Sequence, residues 1–126
     1  QGREHEASFP WFERALARWP EDIELHNAYA WHLATYRWPS PQSPGDPAPD
    51  ERTARAVAAA RRAVELSGTA DVSWQILDTL GAALFANAEI REAIATQERA
   101  LQLAPESDKA ELQGRLDVYR KYAGSR

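Results

Sequence analysis

Between Leu77 and Pro105 the chain carries two short ladders of small and apolar residues. The first is Leu77, Leu80, Gly81 and Leu84, and the second is Ala93, Gln97 and Ala100, with Pro105 closing the run. Steps of three and four place each set on one face of a helix. Gly81, Ala93 and Ala100 are small enough to let two helix backbones approach closely, and Pro105 cannot continue a helix. The stretch therefore demands a pair of helices crossing at short range. Fragments of the same text recur. Phe12, Ala15 and Pro20 repeat the spacing of Gln97, Ala100 and Pro105, and Arg55-Ala56-Val57 through Leu66 parallels Glu92-Ala93-Ile94 through Leu103, 37 positions earlier.

Composition agrees with helices throughout. The chain has 126 residues, 44% of them hydrophobic and 27% charged. Good helix formers dominate and β-branched residues are sparse. This is the size of one domain, and it is read as all-α. No apolar run is long enough to span a bilayer, so membrane insertion is not expected. A net charge of −4 disfavours nucleic acid, which usually selects a basic face. The densest basic cluster, Arg52, Arg55, Arg61 and Arg62, has Glu51 and Glu65 beside it and reads as a solvated helix face. There is no cysteine, which removes disulfides, thiol nucleophiles and Cys-ligated zinc. The chain starts at Gln1 and has no Met, so it is read as a mature fragment or an excised domain. Its compartment is left unassigned.

The Leu77–Pro105 ladder resembles the tetratricopeptide repeat (TPR), a helix-turn-helix unit of 34 residues with the pattern W-x2-L-G-x2-Y…A-x3-F…P. Extending that period from Pro20 opens a repeat near Ile23 and puts its small crossing residue at Ala30, between Tyr29 and Leu33. The chain departs from the pattern where Leu77 and His26 replace Trp, Leu84 and Leu33 replace Tyr, Gln97 and Ala60 replace Phe, and Gly68 replaces Pro. Gln97 stands out, because a buried amide needs partners. The resemblance covers residues 9–122 and is similar in wording to a bacterial branch of TPR proteins. It implies a TPR-like superhelix of antiparallel helix pairs, with about six helices including a C-terminal capping helix.

The expected organisation is a single domain over 1–126. A half repeat covers 9–20, a repeat with an insertion at 37–49 covers 22–67, a second repeat covers 71–105, and a capping helix covers 107–122. The first helix is expected near Phe9 to Trp19, with any lead-in kinked or ended at Pro10. Asp50 is a candidate N-cap, and Asp108 with Glu111 has capping-box spacing. On the last helix Leu112, Leu116 and Tyr119 form the buried stripe, while Lys109, Glu111, Arg115 and Arg120 are expected to face water. Trp11, Phe12 and Trp19 lie at an uncapped N-terminal face where self-association is conceivable. From Trp38 to Pro49 there are five prolines in twelve residues, so no helix crosses this segment. It reads as a solvated connector. The competing reading is an extended segment, taken up by a partner or folded back over the groove with Trp38 as anchor.

Nothing points to chemistry in this chain. His26 and His32 are six apart, where a helical metal pair prefers four. His5-Glu6 begins like a zincin motif, but Phe9 stands where the second His belongs. The carboxylates share no recognisable cleft, and neither a glycine-rich phosphate loop nor a triad is present. No enzyme activity, metal or cofactor is expected. The resemblance instead implies a protein–protein or peptide interaction scaffold that uses the concave face. The matching positions are Glu24, Asn27, Trp31 and Thr35, then Gln75, Asp78, Ala82 and Phe85. Chaperone-binding members clamp a terminal carboxylate with Lys, Arg and Asn there. This chain offers Asn27 alone, so the partner is expected to be neutral or basic with an apolar anchor at Trp31 and Phe85, and with Glu24 and Asp78 as its acidic contacts. The alternative is a structural or regulatory appendage of a multidomain enzyme, such as a bacterial membrane glycosyltransferase, whose catalytic domain lies outside this stretch.

Overall fold

The computed structural model describes residues 2–68 and 70–124, with side chains from residue 9 onward. Six helices make up the described chain: α1 (Gly2–Arg18), α2 (Ile23–Thr35), α3 (Glu51–Ser67), α4 (Trp74–Ala86), α5 (Ile90–Leu103) and α6 (Glu106–Gly124). No strand occurs among the described residues, so the chain is all-α. No helix among them is long and apolar enough to cross a membrane.

Local chemistry accounts for the boundaries. Asp22 caps α2 by accepting from the Leu25 amide at 3.0 Å, and Ser73 caps α4 by accepting from the Ile76 amide at 3.3 Å. Asp50 and Thr53 form a reciprocal capping box at α3, which satisfies two amides that the helix itself leaves open. Gly68 ends α3 with φ of +83°, a conformation that favours glycine, and its N–H bonds the Val64 carbonyl at 3.0 Å. Two expected boundaries are corrected. Helix α1 begins at Gly2 and includes Pro10, so the helical lead-in is present and does not end there, although an interior proline gives up one backbone bond and crowds the preceding turn. Helix α6 starts at Glu106, directly after Pro105, and the Asp108 amide bonds the Pro105 carbonyl at 2.9 Å. Asp108 is thus inside the first turn, and Glu111 bonds Arg115 instead of closing a box. The His5-Glu6 pair lies outside the described side chains.

Successive helices fold back on one another. Phe12 of α1 meets both Tyr29 and His32 of α2, while the earlier Phe9 meets the later Tyr36, an antiparallel register. Gly81 backs onto Ala93 and Gln97 across the α4–α5 turn. The Gln97 amide reaches the Leu112 carbonyl of α6 at 3.4 Å, and Glu98 pairs with Arg120 at 2.7 Å. Alternate helices run the same way: Asp78 of α4 meets Arg115 of α6, and the later Phe85 meets the later Tyr119. Ala30, Ala56, Ala60, Ala93 and Ala100 are wholly buried, so a larger side chain at any of these crossings would overpack it, at about 1–3 kcal/mol.

At the N-terminal face Trp11 and Trp19 are each 53% exposed, but Phe12 is buried under α2. The proline-rich insertion is not a solvated connector. Trp38 is buried, edge-on to Trp31 with ring centroids 6.1 Å apart. The Pro41 carbonyl accepts from Arg115 Nη1 at 3.4 Å, the Asp46 carboxylate accepts from the Tyr122 hydroxyl, and the Ala48 amide donates to the Ala86 carbonyl at 3.2 Å. The segment is a strap that leaves α2, crosses α6 and returns past the end of α4.

Candidate functional site

A groove of about 360 Å³ opens between α2, α4 and α6. Helix α2 contributes Asn27, Ala28, Trp31 and His32, helix α4 contributes Trp74, Gln75, Asp78 and Thr79, and helix α6 contributes Asp108, Glu111, Leu112 and Arg115. The parallel course of α4 and α6 brings Asp78 and Arg115 to the same level. Trp31 lies under the Arg115 guanidinium, whose central carbon is 5.5 Å from the ring centroid. The strap adjoins this end through Trp38 and Pro41.

The deep wall is an ion pair. Arg115 gives Nη2 to Asp78 Oδ2 at 2.7 Å and Nε to Asp78 Oδ1 at 3.0 Å. This two-pronged geometry is the strongest a guanidinium makes with a carboxylate. Gln97 adds its Nε2 to Asp78 Oδ1 at 2.8 Å. The remaining Arg115 nitrogen, Nη1, donates to Glu111 at 3.2 Å and to the Pro41 carbonyl. Burial works against the charge on Arg115, yet the Asp78 charge and hydrogen bonds hold its pKa above the ordinary arginine value. Behind the pair Tyr119 is fully buried, stacked on Phe85 at 4.5 Å. Burial, with Asp78 nearby, pushes its phenol pKa up despite the opposing pull of Arg115.

Of the eight residues expected to form the site, Asn27, Trp31, Gln75 and Asp78 line the groove. Glu24 is exposed on the first turn of α2, away from the lining. Thr35 is buried and donates its hydroxyl to the Trp31 carbonyl at 2.8 Å. Ala82 and Phe85 have no exposed surface, and the α6 tyrosines Tyr119 and Tyr122 cover Phe85. Phe85 therefore cannot act as an anchor, and the Asp78 charge is engaged by Arg115.

Arg115 itself is the largest correction. It was placed in water, yet it is 2% exposed. The signal for its burial was present: Leu112, Arg115, Leu116 and Tyr119 fall at steps of three, one and three on a single stripe. The expected discomfort of Gln97 is half answered: its Nε2 is a third arm of the same cluster, while its Oε1 is buried with no donor among the described residues. Asp108 and Glu111 were missed because the last helix was read only as a cap, and Trp74, at the start of α4, was not among the positions that the resemblance implies.

No protein-family model matches the chain, and neither a curated protein nor a solved structure matches it significantly.

Proposed function

We propose that this chain is a TPR-like interaction module that binds a protein or peptide segment in the groove between α2, α4 and α6, and carries out no chemistry itself. The observation that supports this most is the groove's construction from one side of three alternate helices, with Trp31 and Trp74 on its wall. Buried aromatic anchors in a defined pocket supply most of the binding energy at such surfaces. The wholly buried alanines at the helix crossings are what a stack of TPR-like pairs would require. The partner is neutral or basic with an apolar anchor. An acidic tail would need a free cation in the groove, and Arg115 has already committed its guanidinium to Asp78, Glu111 and Pro41.

The test compares affinity capture by the wild type with Trp74→Ala and Gln75→Lys, using Arg62→Glu on α3 as a control outside the groove. Both groove variants should lose partners that the control keeps. If every partner survives both groove substitutions, the groove is not the binding surface.

A further inference from the structure

We propose that the groove reads an arginine side chain of its partner segment, through Asp108 and Glu111 on α6, while a neighbouring apolar residue of that segment lies against Trp31 and Trp74. This rests on the groove reading above and adds the chemistry of what enters it.

Charge decides the sign. The groove lining holds three carboxylates, Asp78, Asp108 and Glu111, against the single guanidinium of Arg115. Asp78 and Arg115 cancel one another in their two-pronged pair. What is left is negative and belongs to α6. Glu111 keeps spare acceptor capacity beyond its one bond to Arg115, since a carboxylate accepts at about four lone-pair sites. Among the described residues, the Asp108 side chain has only a long 3.4 Å contact from the Ser107 hydroxyl.

Carboxylates that line a groove call for a ligand rich in donors. A guanidinium brings five N–H donors in a rigid fork. Its aliphatic stem also has apolar wall to lie on, from Ala28, Trp74 and Leu112. A groove of about 360 Å³ is at the small end of ligand sites, which suits one side chain and its neighbour rather than a long helix.

The probe is the peptide acetyl-Gly-Ser-Leu-Arg-Ser-Gly-amide, beside its twin with citrulline in place of arginine, which keeps the shape and loses the charge. Binding is read from the indole N–H resonances of Trp31 and Trp74 in 15N-labelled protein. The arginine peptide should shift both indoles and bind about fivefold more tightly than the citrulline peptide, the scale of one or two exposed charge contacts. Raising salt to about 0.5 M should erase that preference. So should D108N/E111Q, and D108N alone should reduce it without touching Arg115. Equal binding of the two peptides at these indoles overturns the arginine readout and leaves the groove reading standing. If the arginine peptide moves neither indole at millimolar concentration, the proposal is wrong, and the capture experiment above then judges the groove by itself.

Discussion

Arg115 and Asp78 stand 37 residues apart in the chain and meet through two hydrogen bonds, at 2.7 and 3.0 Å, with Arg115 almost fully buried. The pair joins α6 to α4, and Gln97 joins α5 to both. Removing one partner strands the other charge away from water, which typically costs about 3–5 kcal/mol. Arg115→Ala and Asp78→Ala should each destabilise by roughly that amount in urea unfolding. The double variant should lose clearly less than the sum, because it leaves no orphan charge. Additive losses would show that the two side chains act separately. Asp78→Lys, which would oppose two cations in this wall, should fail to fold and is no probe of binding.

Gly81 is tied to the same cluster by a close approach. A Cβ added there would run into Gln97 Oε1. In Gly81→Ala the amide must move off Asp78, so a loss of about 1–3 kcal/mol is expected from overpacking, despite alanine's better helix propensity. Gly81→Ala combined with Gln97→Ala should be less impaired than Gly81→Ala alone, since the colliding amide is gone. A Gly81→Ala protein as stable as the wild type would mean that the crossing has slack.

The helices were legible because periodicity and caps are local properties. Asp50 announces α3 and the ladder from Leu77 announces α4 and α5. Four of the eight candidate site residues, Asn27, Trp31, Gln75 and Asp78, line the groove; they were positions that the resemblance implies, laid onto the helices. The remainder depended on long-range contacts. Phe85 has the right phase but lies beneath Tyr119 and Tyr122, and Arg115 shares the buried stripe of Leu112 and Tyr119 while its charge has no visible partner until Asp78 is placed opposite. The strap was misread because proline content reports what a segment cannot do. It says nothing of where Trp38 finds apolar surface.

Tyr119 has a fully buried side chain, and its hydroxyl has no hydrogen-bond partner among the described residues. A buried polar group in that state costs about 1–3 kcal/mol, whereas its apolar replacement can be neutral or stabilising. Tyr119→Phe keeps the stack on Phe85 and should leave stability unchanged or raise it by up to about 1 kcal/mol. A loss above about 1 kcal/mol in urea unfolding would show that the hydroxyl has a partner in solution.

Trp38 anchors the strap against Trp31. Trp38→Ala removes a buried indole and should cost about 3–5 kcal/mol, as large aromatic truncations do. Tyr122→Phe removes only the exposed hydrogen bond to Asp46 and should cost less than about 1 kcal/mol. Deleting residues 39–49 should shift tryptophan emission to the red as Trp31 and Trp38 meet water. An unchanged spectrum would mean that the strap does not cover them.

Asp50 makes the cap of α3 sensitive to acid. The Thr53 amide bond is the main force lowering its pKa, partial burial opposes it, and the charges of Arg52 and Arg37 lower it further, so the folded value lies below the ordinary 3.8. A lowered folded pKa means that the unfolded chain binds the proton more readily. The stabilisation is therefore complete above the unfolded value and disappears as pH falls through the folded one. Asp50→Ala should cost about 0.5–2 kcal/mol at pH 7. Asp50→Asn keeps an oxygen for the Thr53 amide but not the charge, so at pH 7 it should lose less than alanine does. Its gap from the wild type should narrow as pH falls below about 4, where the carboxylate of the unfolded wild-type chain begins to take up its proton. Urea midpoints at pH 7 and pH 3 measure this, and an Asn–wild-type gap of the same size at both would show that the cap works through its oxygen alone.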